Sequence, residues 1–453
     1  MATGEPVVTR LSVGNASRST TSSVLQTYRS KKLAGTRSSL GANAEYGREE
    51  SGNITAPLVG QRDSGANSAP PSSWRGLCEL LWHPICLLLL AWPLGIAAAL
   101  LKWGDLPCFW LNFLAMIPLA KILGDFTEEL AIGLKSDTLG GLLNATFGNA
   151  VEMILTVQTL RAAQEKPEYI DVVKGTLLGS VLSNMLLVLG TSFLCGGFTG
   201  PDWKGKMQTF SIPAALTNMT MLLLATASWA LPTVFISDTS VKDYTDEDAT
   251  TLTVSRICCI YILISYVAFL FFELYTHIDM VKSSEEDDEG PPSFSVGFAF
   301  IGLAISTVLV AVSSEFLVDA IDGLVHQLHG TPFEMGKTFI GVILLPIVGN
   351  ACEHVGAVRM AMVEKVDITI GIAVGSSTQI ALFVVPFSVL IGWMIDVPMD
   401  LNFGYLNTTV MIFSVLIVLS VLTDGSANWL EGFMLVVAYF VVATLYLYFP
   451  SDD

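Results

Sequence analysis

Apolar residues in this chain come in long, nearly uninterrupted runs rather than in narrow stripes. A helix rising 1.5 Å per residue needs about 20 such residues to cross a hydrocarbon core about 30 Å thick. Eleven segments meet that need, at 84–102, 108–133, 140–161, 174–196, 209–233, 251–275, 294–317, 338–361, 368–393, 405–422 and 429–449. The pattern predicts an all-α integral membrane protein with eleven transmembrane helices. Residues 1–73, rich in Ser, Thr, Gly, Ala and Arg without apolar periodicity, are expected to form a disordered, soluble arm rather than a signal peptide.

Composition agrees. Of 453 residues, 52% are hydrophobic and 14% charged, the latter about half the ~25% usual for soluble domains. This excludes a mainly soluble enzyme, a disulfide scaffold and a disordered protein. None of the seven Cys is paired at CxxC or metal-ligand spacing, so they are expected as free thiols in apolar surroundings.

The net charge of -18 is unevenly spread. Residues 1–75 hold nine Lys/Arg against five Asp/Glu, and the remainder holds 14 against 36. A basic arm before the first span is expected to stay cytosolic, although the loops themselves carry six Lys/Arg on each side. An acidic body does not suit nucleic acid. After the sixth span, Glu285 to Glu289 form an acidic run followed by Gly290-Pro291-Pro292, read as a solvated linker.

A repeat organises the chain. Gly148-Asn149-Ala150-Val151-Glu152 in the third span matches Gly349-Asn350-Ala351-Cys352-Glu353 in the eighth. In the following spans Gly175, Gly179 and Ser180 fall on Gly371, Gly375 and Ser376 at constant offset. Thr127-Glu128-Glu129-Leu130 resembles Ser314-Glu315-Phe316-Leu317 more weakly. The chain therefore reads as a tail (1–73), a first span (74–103), a five-helix repeat (104–278), an acidic linker (279–293) and a second five-helix repeat (294–453). An odd number of spans per copy forces the second copy in upside down, as in inverted-repeat transporters with a site near the midplane.

The repeat points to chemistry. A Glu at mid-membrane costs about 2.5–3.5 kcal/mol on insertion scales, and here it occurs twice at equivalent positions, as Glu152 and Glu353. Asn149 and Asn350 stand three residues earlier, on the same helical face. The Gly before each Asn would let backbones approach closely, or let the helix break and offer carbonyls. Oxygen donors of this kind suit Ca²⁺, Mg²⁺ or Mn²⁺. Ser180, Ser183, Asn184, Ser376, Ser377 and Gln379 are a natural second set of donors, with helix packing by small residues as the alternative role.

Two carboxylates can hold one divalent cation or two protons, and burial disfavours leaving them bare. That is antiport by competition for one site. A thousandfold gradient of a divalent cation costs about 4 kcal/mol. Each proton falling one pH unit returns about 1.4 kcal/mol, so two or three protons suffice. Glu128 and Glu315 are expected as an outer pair relaying ions to the centre, with interfacial solvation as the alternative. His354 follows Glu353 and is expected either to orient it or to relay protons, or else to be a plain core histidine. Lys121 is expected to snorkel or to pair with Asp125.

On these residues, residues 77–450 resemble the cation/proton exchangers of the CAX family, within the wider cation/Ca²⁺ exchanger superfamily. The markers are Gly140-Gly-Leu-Leu-Asn144-Ala-Thr-Phe-Gly-Asn149-Ala-Val-Glu152, Phe339-Ile-Gly-Val-Ile-Leu-Leu-Pro346-Ile-Val-Gly-Asn350-Ala-Cys-Glu353-His354 and Gly375-Ser-Ser-Thr-Gln379. The resemblance implies a vacuole-type membrane and Ca²⁺ export from the cytosol into an acidic lumen against H⁺. It implies that Glu152, Glu353, Asn149 and Asn350 form the cation site, with Glu128, Glu315, Ser180, Ser376, Gln379 and His354 along the pathway. Cys352 stands where the family more often has Ala, and the phrase around Lys121 departs from plant and fungal members, which bears on selectivity among Ca²⁺, Mn²⁺ and Na⁺. No resident cofactor is expected, since Ca²⁺ and H⁺ are transported. Lipid is the surrounding partner, and a homo-oligomer is compatible with the sequence. The competing reading is a Na⁺-coupled or Na⁺/H⁺-type exchanger. An intramembrane hydrolase would need a nucleophile with its base, or HExxH, and no such motif stands here.

Overall fold

The computed structural model describes residues 73–199, 205–237, 247–277 and 292–448. The amino-terminal arm and the acidic run Glu285–Glu289 lie outside them.

Hydrophobic runs become helices almost everywhere. The succession is α1 (Ser73–Leu81), α2 (Pro84–Leu100), α3 (Asp105–Gly133), α4 (Asp137–Phe147), α5 (Ala150–Ala163), α6 (Tyr169–Gly197), α7 (Ile212–Phe235), α8 (Ala249–Thr276), α9 (Val296–Leu328), α10 (Lys337–Gly349), α11 (Ala351–Met362), α12 (Val366–Met394), α13 (Tyr405–Leu422) and α14 (Trp429–Leu447). Among the described residues eight of these are long and apolar enough to cross a membrane, and nine when α10 and α11, bent by 57° at Asn350, count as one span. The expected eleven are therefore not all met by length and composition. Every expected span is helical, but α2 is short, and the third span is divided into α4 and α5 at Gly148–Asn149.

The halves are inverted. Gly133 at the end of α3 faces Val296 at the start of α9, and Gly323 near the end of α9 faces Asp105 at the start of α3. These first helices of the two copies thus run antiparallel. The fourth helices do the same: Gly425 beyond α13 meets Ile212 of α7, while Thr408 and Thr233 approach at the other end. A two-residue antiparallel pairing of Gln208 with Ala427 and Thr209 with Ser426 ties the loops before α7 and after α13.

Burial sorts the helices. The most apolar window of α6 is 83% buried, against 22% for α8 and α14, so α6 is central and the others meet lipid. Ile264, Phe300, Ile301 and Phe440 are exposed apolar side chains of that outer surface. In the centre α6 touches α10 backbone to backbone, because a Cβ on Gly179 would lie 2.0 Å from the Val342 carbonyl oxygen. Larger residues would hold these helices apart, as small-residue packing in membranes requires. All seven cysteines are free thiols.

Candidate cation site

Both repeated motifs fall at helix breaks. Asn149 (φ -104°, ψ 23°) precedes α5, and Asn350 (φ -86°, ψ 12°) precedes α11. Neither side chain caps its own helix, because each reaches into the opposite half. Asn149 Nδ2 donates to Gln379 Oε1 at 2.9 Å, and Asn350 Nδ2 donates to the Ser180 carbonyl at 2.9 Å. Glu152 and Glu353 occupy the first turns of α5 and α11. The preceding half-helices end there, leaving terminal carbonyls at the same level.

The Glu152 carboxylate reaches across the inversion. A Cβ on Gly349 would fall 2.6 Å from Glu152 Oε1, so the Glu152 carboxylate lies against the break of the other half. It is also near enough to Glu353 for the two charges to act on each other. Glu152 is 2% exposed. Both its oxygens, Glu353 Oε2 and Asn350 Oδ1 are buried without a hydrogen-bond partner. Buried acceptors are ordinarily satisfied, so this oxygen set is suited to a proton or a cation.

The two Asn differ in a way the repeat did not predict. Asn149 Oδ1 accepts from Ser376 Oγ at 3.3 Å, and Ser376 Oγ accepts from Asn184 Nδ2 at 3.0 Å. Only Asn350 keeps its amide oxygen without a partner. Ser180 has its Oγ likewise unpaired while its carbonyl holds Asn350. Among the described residues no group of three or more His, Cys, Asp and Glu converges as a metal site, so amide, hydroxyl and backbone oxygens must complete any shell around the two carboxylates.

The remaining candidates are dispersed. Glu128 and Glu315 are exposed and lie toward opposite ends of the antiparallel α3–α9 pair, roughly 20 Å apart along the axis. They are therefore one per face, not neighbours. His354 Nε2 lies 3.0 Å from Thr191 Oγ1 on α6, which is also 2.7 Å from the Leu187 carbonyl oxygen, and the ring tautomer sets which of the two donates. Thr191 was not singled out by the sequence, since nothing local ties it to His354.

A cavity of about 290 Å³ leads from Gln379 to one face, lined by Asn218, Glu273, His277, Asp367 and Gly375. Glu273, His277 and Asp367 were also missed. Their only sequence signal is position, at span ends beside the acidic linker and the loop after the eighth span. At the other face ion pairs join the two halves. Asp322 pairs with Lys166 and, at 2.8 Å, with Lys337; Lys337 also reaches Glu168 at 3.4 Å. Both ammonium groups sit 5.6 Å over the buried Tyr169 ring. Asp322 helps hold Lys166 charged above its ordinary pKa, chiefly by accepting its hydrogen bond.

The sequence profile of the sodium/calcium exchanger proteins matches residues 106–275 and 298–448. The chain belongs to that family. This exchanger is 38% identical over 367 residues to the vacuolar calcium ion transporter of Schizosaccharomyces pombe, covering 81% of this chain and 85% of that one. It is 40% identical over 387 residues to vacuolar cation/proton exchanger 5 of Arabidopsis thaliana, covering 83% and 82%. Among solved structures it is similar to native YfkE, with TM-score 0.67, 34% identity and coverage of 81% and 100%; YfkE is described as a Ca²⁺/H⁺ antiporter protein. The H⁺/Ca²⁺ exchanger CAX, at TM-score 0.58 and 12% identity, covers 83% and 93% and shares the fold. The exchanger is accordingly a multi-pass membrane transporter.

Proposed function

We propose that this exchanger moves cytosolic Ca²⁺ into an acidic compartment in exchange for H⁺, by alternating access to one site built on Glu152 and Glu353. The observation that carries this reading is a carboxylate from each inverted half with buried oxygens that lack a protein partner, both of Glu152 and Oε2 of Glu353. Such oxygens are stable only when protonated or bound to a cation, so the two occupants exclude each other. The vacuolar relatives and YfkE support Ca²⁺ and H⁺ as that pair.

Asn350 Oδ1 would add an amide ligand, and Asn149, Ser376 and Gln379 would tie the two halves together around the ion. Mn²⁺ is accepted by the same oxygen chemistry. With the amino end cytosolic, the cavity at Gln379 opens to the cytosol and the Lys166–Asp322–Lys337 cluster closes the lumenal side. A vacuolar or similarly acidic membrane is the setting in which the proton gradient has the needed direction.

The test is ⁴⁵Ca²⁺ uptake into acid-loaded proteoliposomes, without Na⁺ and with Mn²⁺ or Na⁺ as competitors. Saturable uptake that collapses with the pH gradient is expected. Uptake that needs a Na⁺ gradient, or that ignores the pH gradient, would overturn the assignment.

A further inference from the structure

Outside the repeated motifs, one ion pair stands at the level of the cation site. Lys121 and Asp125, one turn apart on α3, are paired, with side chains 19% and 28% exposed. Charges in the middle of a membrane helix are costly and tend to be functional. Between them, Gly124 turns its bare face to α11, where a Cβ would meet Cys352 Sγ at 3.2 Å. Cys352 is the residue before Glu353. The pair therefore lies within electrostatic reach of the site without contributing a ligand to it.

We infer that the Lys121–Asp125 pair is a specificity-determining element that tunes how strongly the Glu152–Glu353 site holds divalent over monovalent cations. Paired, the two side chains add almost no net field at the site. With Lys121 removed, Asp125 adds a negative charge that draws cations in. With Asp125 removed, Lys121 adds a positive charge that repels them. Coulomb energy scales with the charge of the cation, so the fold-change for a divalent ion is the square of that for a monovalent one.

The inference rests on the exchange reading above, and a double-mutant cycle separates the two. Lys121→Gln, Asp125→Asn, the double variant and the swapped pair K121D/D125K are assayed in proteoliposomes. Half-saturating Ca²⁺ and inhibitory Na⁺ are measured at alkaline pH on the cavity side, where protons do not compete. Lys121→Gln is expected to lower half-saturating Ca²⁺ about tenfold and the inhibitory Na⁺ about threefold, and Asp125→Asn to raise both by similar factors. The double and swapped variants should return close to the native protein. If Lys121→Gln and Asp125→Asn shift half-saturating Ca²⁺ in the same direction as each other, or if the double variant is as impaired as the singles, the pair is merely structural and the inference is overturned. If the singles do not reach the membrane, a swapped pair that folds but departs tenfold from native values overturns it equally. Absence of Ca²⁺ exchange in the native protein would instead remove the functional reading itself.

Discussion

The Glu152 carboxylate of the first half rests against Gly349 of the second, at the break between α10 and α11, where an added methyl carbon would fall 2.6 Å from Oε1. The contact joins the two copies of the motif at the candidate site. Gly349→Ala must therefore push the carboxylate aside. Displacements of this size cost on the order of ten- to a hundredfold in ligand-dependent rates, so Ca²⁺ uptake should fall by that much. Thermal unfolding in detergent should shift little, because the helix already ends at this residue.

Glu152→Gln and Glu353→Gln keep shape but cannot exchange a proton for a cation. Each is expected to abolish exchange while the protein still elutes as a folded species on gel filtration. Substantial ⁴⁵Ca²⁺ transport by either variant would count against a shared site.

Competition for the carboxylates has a definite sign. Lower pH on the cavity side fills them with protons, so half-saturating Ca²⁺ should rise as pH falls. If two protons leave per cation, log half-saturation against pH approaches a slope of about -2. A slope near zero from pH 6 to 8 would mean that protons and Ca²⁺ do not share the site.

The asymmetry of the two Asn is testable. Ser376→Ala removes the donor to Asn149 Oδ1 (3.3 Å) and leaves Asn184 without its acceptor, so affinity should fall severalfold while turnover is largely kept. Asn350→Ala removes the amide oxygen that lacks a partner and should cost more, about tenfold or above. Equal losses in radiotracer titrations would argue that both amides act alike.

If access alternates, the face held by Lys166, Asp322 and Lys337 must open. Linking K166C to D322C with a short bifunctional thiol reagent should stop exchange, restored by reductant, while Ca²⁺ binding through the open cavity persists. Undiminished exchange after linking would rule out movement at this face.

Much was legible along the chain because it is local. A helix long and apolar enough to span hydrocarbon reveals itself in consecutive residues, and the Gly-Asn-x-x-Glu motif announces a duplicated carboxylate wherever the chain folds. The break at Asn350 follows from the same local signal, and so does the pairing of Lys121 with Asp125, four residues apart on one helix face. The single count of eleven crossings was less secure, since a divided helix such as α4–α5 looks continuous in composition.

Placement between the halves was not written locally. Glu128 and Glu315 occupy similar sequence positions, yet inversion sends them to opposite faces. Thr191 meets His354 across 163 positions, and Asn149 finds Gln379 across 230. Asn149 and Asn350 are alike in sequence, but only one keeps an unpartnered oxygen, because each faces a different surface of the opposite copy. Hydropathy and motif spacing thus determined that two acids lie in the membrane. The antiparallel packing of two copies decided which oxygens stay without a protein partner, and on which side of them the cavity lies.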